Sequence, residues 1–395
     1  MHIDHEGMRV MMWENRLITI ANVAALNFGP GALLRCASDL IALGKRSVFI
    51  VTTPPTLFLC TPLIDALKGA GIAVTVWHDL VGEPTITEFG HALRAAQACT
   101  ADSVVGLGGG SAMDVAKLLA ALADGKQKIG DVIGIDLVEG RELWLGCIPT
   151  TAGTGSEVTP IAILSDEDED LKKGAVSRYL VPDAAYLDPS LTVSMPATVT
   201  AATGLDALTH CIEAYANRSA HPLIDTYALA GIALIANNIE RAVADGSDLA
   251  ARSAMMRASL YGGLCLGPVN TAAVHALAYP LGGEFHIAHG VANALLLPHV
   301  LRFNIATSAE RYADVARALG ANCAGDHAKD ALAGVERVIA LADTCGIKRR
   351  LSDFGIPRDA LPRMAVAAMT VTRLLNNNPR TLSETDARDI YEAAW

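Results

Sequence analysis

The chain has no Lys/Arg-rich block, no Cys-x-x-Cys pair and no internal repeat, and its first residues lack the apolar core of a signal peptide. With 31 basic against 42 acidic residues and a formal charge of −11, it presents no basic surface for nucleic acid, so a small-molecule partner is expected instead. Eight cysteines, Cys36, Cys60, Cys99, Cys147, Cys211, Cys265, Cys323 and Cys345, are scattered along the chain. That pattern predicts reduced, mostly buried thiols of an intracellular protein and no cysteine metal ligand. The opening Met1-His-Ile-Asp-His-Glu carries acids, which predicts no export and a cytoplasmic location. One stretch, Ala258 to Gly283, lacks Asp, Glu, Lys and Arg altogether, yet it holds Gly262, Gly263, Gly267, Pro268, Asn270, His275 and Pro280. Those residues would expose polar groups to lipid, so the stretch reads as a buried helical core interrupted by a functional turn, and no membrane partner is expected.

At 395 residues the chain exceeds what one core supports, and an apolar fraction of 51% can fill two. Up to about residue 190, short β-branched runs alternate with Ala/Leu-rich amphipathic stretches, the pattern of βα units around a parallel sheet. Strands are predicted at Ser47 to Thr52, Ile72 to Trp77, Ser103 to Gly106 and Trp144 to Ile148. Helices are predicted near Thr56 to Gly69, Thr87 to Thr100 and Ser111 to Ala123. After Asp188-Pro189 helical periodicity takes over, as in Leu223 to Val243 and Arg311 to Leu319. The expected fold is therefore an α/β dinucleotide-binding domain with a parallel sheet over residues 1–190, then an all-α domain over 191–395. Pro189 to Pro196 is the expected hinge, and the acidic run Asp166 to Asp170 the expected solvated turn.

Four side chains in the second half have the types and order of a mononuclear metal site: Asp206, His210, His275 and His289. Asp206 and His210 are four residues apart, which on a helix stacks carboxylate and imidazole on one face. Three imidazoles with one carboxylate suit iron(II) or zinc, whereas an all-oxygen set would suit magnesium or calcium. On spacing alone His286 rivals His289.

Two small-residue loops follow predicted strands. In Gly106-Leu-Gly108-Gly109-Gly110-Ser111-Ala-Met-Asp114 the glycines let a backbone approach a phosphate. Ser111 can cap the following helix, whose amides and dipole attract an anion. Lys117 in that helix reads as a surface residue. In Pro149-Thr150-Thr151-Ala-Gly153-Thr154-Gly155-Ser156-Glu157 clustered hydroxyls and amides can hold ribose and phosphate oxygens, or Thr154 or Ser156 can cap a helix start. Together the loops point to a dinucleotide at the carboxyl ends of the strands.

These residues resemble the iron-containing (group III) alcohol dehydrogenase family. The resemblance is carried by Phe28-Gly-Pro-Gly, the Gly-Gly-Gly-Ser-Ala-Met-Asp loop, Pro149-Thr-Thr-Ala-Gly-Thr, Asp188-Pro, Gly204-Leu-Asp-Ala-Leu-Thr-His-Cys-Ile-Glu, and the block from Val274 to Asn293. It implies a metal ion, Fe(2+) or Zn(2+), on Asp206, His210, His275 and His289, preferring His289 over His286, in a cleft between the two domains. For NAD or NADP it implies contacts from Thr52, Thr53, Gly108, Gly109, Gly110, Ser111, Asp114, Thr150, Thr151, Thr154 and Lys172, with Lys173 a close rival of Lys172. The implied partners are a small alcohol or carbonyl substrate and a second copy of the chain. Two positions depart from the family pattern. Thr53 stands where a carboxylate often selects NAD, which leaves both cofactors open. Tyr279 stands where many members carry a second histidine, so any proton relay falls to a tyrosine, to His286 or to water.

The expected reaction is hydride transfer between the nicotinamide and an alcohol, aldehyde or ketone. The alternative is a dehydroquinate-synthase-like enzyme that uses NAD transiently. That chemistry calls for extra Lys/Arg residues around an anionic substrate, and His275 to Asn293 contains none.

Overall fold

Runs such as Ser47–Val51 and Ser103–Gly108 become strands because their β-branched and small residues can be buried on both faces, as a parallel sheet covered by helices demands. The computed structural model describes residues 16–168 and 171–395. The acidic N-terminal segment and the last two residues of the Asp166 to Asp170 run lie outside the described residues. In chain order the strands are β1 (Ala25–Phe28), β2 (Ser47–Val51), β3 (Ala73–Trp77), β4 (Ser103–Gly108), β5 (Gly134–Ile135), β6 (Trp144–Pro149), β7 (Ile161–Asp166), β8 (Leu171–Val176) and β9 (Ala184–Leu187). Among them run helices α1 (Ala32–Ala42), α2 (Thr61–Gly69), α3 (Ile86–Ala98), α4 (Gly110–Leu122) and the single turn α5 (Ile129–Val132).

Six strands form one parallel sheet in the order β1-β9-β6-β4-β2-β3. From β2 the chain steps outward to β3, then returns to the other flank of β2 as β4. The direction of growth reverses between β2 and β4, which opens a crevice at their carboxyl ends. Apolar residues cover both faces, with Phe49, Leu118 and Leu145 in one core and Ile50, Val105 and Ile148 in the other.

Strands β1, β5, β7, β8 and β9 are additions to the sequence reading. Strand β1 pairs with β9, and Asp188, just past β9, accepts a hydrogen bond from Gly31 N at 2.7 Å. The two ends of the Phe28-Gly-Pro-Gly turn and the Asp188-Pro step are thereby tied together. Strands β7 and β8 form an antiparallel hairpin joined through the acidic run. Asp166 closes β7 and pairs with Lys173 at 2.6 Å, while Glu167 and Asp168 after it are exposed.

The later helices are α6 (Ala197–Tyr215), α7 (Pro222–Ala244), α8 (Leu249–Leu266), α9 (Ala273–Gly283), α10 (His289–Ala318), α11 (His327–Thr344), α12 (Leu361–Met369), α13 (Thr372–Leu375) and α14 (Glu384–Ala394). The uncharged stretch from Ala258 is the end of α8, a turn containing Asn270 at φ 77°, and α9. Among the described residues α7 alone is long and apolar enough to cross a membrane by length and composition. It packs along α6 and buries Ile224, Ala228, Ile232, Ile235 and Ile239. The chain divides into two compact units, one of Ala21–Pro196 with Gly246–Met256, the other of Ala197–Asp245 and Arg257–Trp395 with the described residues up to Ile20.

Candidate functional site

Helix α6 carries Asp206, His210 and Glu213 at i, i+4 and i+7, so all three side chains leave one face. Asp206 and His210 are buried, at 2% and 4% exposure. His275 enters from the first turn of α9, and His289 is the first residue of α10. Two glycines permit this approach. A Cβ on Gly290 would collide with the Ala202 carbonyl of α6, and one on Gly262 of α8 would sit 3.3 Å from His210 Cβ.

The Nε2 atoms of His210, His275 and His289 each lie 3.7 Å from Asp206 Oδ1. Ligand atoms at ~2.1 Å from a tetrahedral centre stand about 3.4 Å apart, so these spacings are close to those of a mononuclear site. His210 and His275 stack with ring centroids 4.8 Å apart, and His275 meets His289 edge-on at 5.2 Å. Burial by itself would favour a neutral Asp206, but the fields of His210, His289 and His275 and the Asn293 amide outweigh it and hold the carboxyl down at about 2.

Glu213 and Asn293 complete the cluster. Glu213 Oε2 lies 2.6 Å from His275 Nδ1, and its Oε1 accepts from Val274 N at 2.6 Å. With Nδ1–H donated to that carboxylate, the His275 Nε2 lone pair faces Asp206 and is available to a cation. Asn293 Nδ2 donates to Asp206 Oδ1 at 2.8 Å and also faces His275 Nε2 at 3.1 Å and His289 Nε2 at 3.2 Å. One amide nitrogen with two protons thus meets three acceptors, while Asn293 Oδ1 is buried without a hydrogen-bond partner. An acceptor-rich, donor-poor knot of this kind is what a divalent cation satisfies. Neither residue is singled out by the sequence reading. The signal was available: Glu213 lies seven residues after Asp206, and Asn293 four after His289.

Tyr279 is half-buried on α9, one turn beyond His275. His286 lies in the turn before α10, exposed, with a left-handed backbone at φ 53°. His289 therefore joins Asp206, His210 and His275, and His286 is not among the groups recorded in contact with Asp206.

In the sheet-containing unit, three neighbouring strands end side by side. Thr52 and Thr53 follow β2, where Thr56 Oγ1 lies 2.9 Å from Thr52 Oγ1 and 2.7 Å from Thr53 Oγ1. Gly108 ends β4, and Thr150 follows β6 with its amide donating to Gly108 O at 2.9 Å. The two small-residue loops interlock: a Cβ on Gly110 would lie 2.7 Å from Thr154 Cγ2, and one on Gly109 3.4 Å from Thr151 Cγ2. Gly110 leaves no room for a Cβ beside Thr154, whereas Gly109 would meet Thr151 only at ordinary contact distance. The cap of α4 is Gly109, not Ser111, which lies within the first turn, so no side chain caps the amides there. Thr150 Oγ1 is buried without a hydrogen-bond partner.

Lys117 corrects the sequence reading. It is 0% exposed, and its ammonium donates to Ser156 Oγ at 2.7 Å, Thr159 Oγ1 at 2.9 Å and Ile161 O at 2.8 Å. Asp114 accepts from Ser156 Oγ at 2.6 Å and from Ile163 N at 3.0 Å, so it braces the second loop from α4. Burial pulls Lys117 down and Asp114 up, each opposed by the other's charge. Glu157 is pushed up to about 7 by burial, against its own backbone amide and the Lys117 charge. Helical periodicity could not reveal this, because the β7 segment that covers Lys117 arrives from outside the βα pattern. Lys172 pairs with Glu83 at 2.7 Å.

Comparison with known proteins follows this geometry. Residues 24–189 match the iron-containing alcohol dehydrogenase model, and residues 200–395 match the C-terminal model of the Fe-containing alcohol dehydrogenase family. The chain is 41% identical to long-chain-alcohol dehydrogenase 1 of Geobacillus thermodenitrificans over 373 residues, 93% of this chain and 94% of that protein. The crystal structure of a 1,3-propanediol oxidoreductase superposes with a TM-score of 0.93 at 33% identity, covering 96% of this chain and 100% of the other. The structure of sulfoacetaldehyde reductase from Bifidobacterium kashiwanohense in complex with NAD+ superposes at 0.86 and 29% identity, covering 96% and 99%. These relatives do not favour the dehydroquinate-synthase-like alternative. The chain belongs to the iron-containing alcohol dehydrogenase family and is an oxidoreductase acting on alcohol groups.

Proposed function

We propose that this enzyme moves hydride between a nicotinamide dinucleotide and a small alcohol or its aldehyde or ketone, with one divalent cation on Asp206, His210, His275 and His289. The observation that carries the metal reading is the convergence of three imidazole nitrogens at 3.7 Å from one buried carboxylate oxygen. The donor set suits iron(II), with zinc the competitor. A cation there supplies Lewis acidity toward the substrate oxygen. The chain's own contribution is positional. Glu213 holds His275 in the tautomer whose Nε2 is a ligand, and Asn293 steadies Asp206 from the other side.

For the nucleotide we assign the crevice edge formed by Thr52, Thr53, Gly108 to Ser111 and Thr150 to Thr154. Support comes from the uncapped first turn of α4, the close packing of Gly110 on Thr154 that leaves no room for a Cβ, and the orphaned Thr150 hydroxyl. Asp114 acts by bracing the cradle. A role for Lys172 requires it to leave Glu83. Thr53 places no carboxylate at the end of β2, so the enzyme accepts NAD and NADP with little discrimination. The bound nicotinamide carries the redox chemistry. Proton exchange falls to Tyr279 or His286, and Tyr279→Phe and His286→Gln separate them by which one alters the pH profile of turnover.

The fitting assembly is a homodimer in the cytoplasm. β1 is an edge strand of the large sheet, and Leu26 and Phe28 on it are 41% and 39% exposed, a surface that a second copy would cover. All eight cysteines are free, as a reducing compartment requires. No feature favours a nucleic-acid or membrane partner. The test is protein purified without air, assayed for metal content and against an alcohol and aldehyde panel with NAD and NADP. About one iron per chain with nicotinamide-linked turnover is expected; nucleotide binding without any absorbance change would refute the reading.

A further inference from the structure

Thr150 and Asn293 each bury a polar side-chain atom that finds no hydrogen-bond partner among the described residues, and both lie where a ligand is expected. A third residue shares the property. Arg373, half-buried in the single-turn helix α13, has its Nη1 atom buried and unpartnered among the described residues. Other shielded arginines are accounted for: Arg252 donates to Gly246 O and Met195 O, Arg141 pairs with Asp183, and Arg311 with Asp225. Leaving a guanidinium nitrogen dry and unpaired is costly, and such a group in a native fold marks a missing partner.

The place of Arg373 says what that partner is. Helix α13 packs against α9. Asn377, just past α13, donates from Nδ2 to Thr271 O at 2.8 Å, and Thr271 lies in the turn that launches α9. Asn377 O in turn accepts from Arg218 N, just past the end of α6, at 2.9 Å. The turn bearing Arg373 is therefore fastened to the ends of the two helices that supply Asp206, His210 and His275. We propose that Arg373 is a specificity-determining residue that receives an oxyanion on the substrate, a carboxylate or sulfonate borne by the aldehyde or alcohol. Arginine suits this because its planar fork matches such groups with two parallel hydrogen bonds.

The inference rests on the redox reading above, and its test keeps the two apart. Metal-loaded enzyme is assayed with 4-oxobutanoate and with butanal, a carboxylate-bearing aldehyde and a neutral one of the same chain length. Wild type should prefer the anion, and Arg373→Met should lower the ratio of kcat/KM values on the order of 10- to 100-fold, the range for losing a hydrogen bond to a charged group. Arg373→Lys, which keeps the charge without the fork, should recover part of the ratio and guards against a folding defect in the first variant. Turnover of butanal with no preference for the anion, or an unchanged ratio in Arg373→Met, overturns the inference and leaves the redox reading intact. A raised KM for the reduced nucleotide at an unchanged ratio assigns the oxyanion to a cofactor phosphate and also overturns it. Failure of wild type on both aldehydes, with other alcohols equally inert, overturns both readings.

Discussion

Two knots of polar side chains, each centred on a buried charged group, are built on opposite plans. Around Lys117 every donor finds an acceptor: its ammonium meets two hydroxyls and a carbonyl, and Asp114 takes a hydroxyl and an amide. Around Asp206 acceptors outnumber donors, since one amide faces a carboxylate and two imidazoles. Buried centres with unequal satisfaction separate a brace from a binding site. The first knot holds a loop in place; the second has the donor-poor composition that the proposed cation would satisfy.

Breaking the second knot should have the largest effect. His275→Ala should lower kcat/KM at least about a thousandfold, the scale of several kcal/mol of lost Lewis-acid stabilisation. Nucleotide affinity, read by fluorescence titration, should stay near the wild-type value, and retained turnover would reject the metal role. Breaking the first knot should instead show as instability. Lys117→Met leaves Asp114 buried without its cation, a cost of about 3–5 kcal/mol in denaturant unfolding; a loss under ~1 kcal/mol would mean the network is dispensable.

Glu157 sharpens the contrast through pH. Its native carboxyl holds a proton up to about 7, against an ordinary value of 4.5. Between those values the unfolded chain gives up a proton that the native chain keeps, so stability falls as pH rises across the window. Glu157→Gln should remove that fall, gaining up to about 3 kcal/mol on wild type between pH 4 and pH 8. Parallel stability curves for the two proteins would contradict it. The smallest of these effects is expected from Glu213→Gln, which keeps the shape but weakens the anchor of His275. Metal affinity in competition with a chelator should drop roughly 10- to 100-fold with little change in unfolding.

Much of this was legible beforehand. The strands β2, β3, β4 and β6 and the helices after the first three follow from short β-branched runs alternating with amphipathic ones, a local pattern that survives folding. The spacing of Asp206 and His210 was equally local, and the family resemblance, not spacing, separated His289 from His286. What escaped depended on long-range contact. The β7–β8 hairpin is not flanked in sequence by a helix that would announce it, and Lys117 in a helix facing that hairpin carries no sign that its ammonium is enclosed. Glu213 and Asn293 stood in plain view at helical spacing, but their partners are 62 and 87 residues away.

The sequence by itself determined the periodicities, the glycine positions where backbones must touch, and the chemical types of the metal donors, because these depend on neighbours within a turn or a strand. Only the tertiary structure decided which of them meet. It brought α6, α9 and α10 to one carboxylate, turned a nominal surface lysine into a buried brace, and left Arg373 Nη1 without a partner. Whether a polar atom is satisfied is a property of every segment packed around it, and no single stretch of chain carries that information.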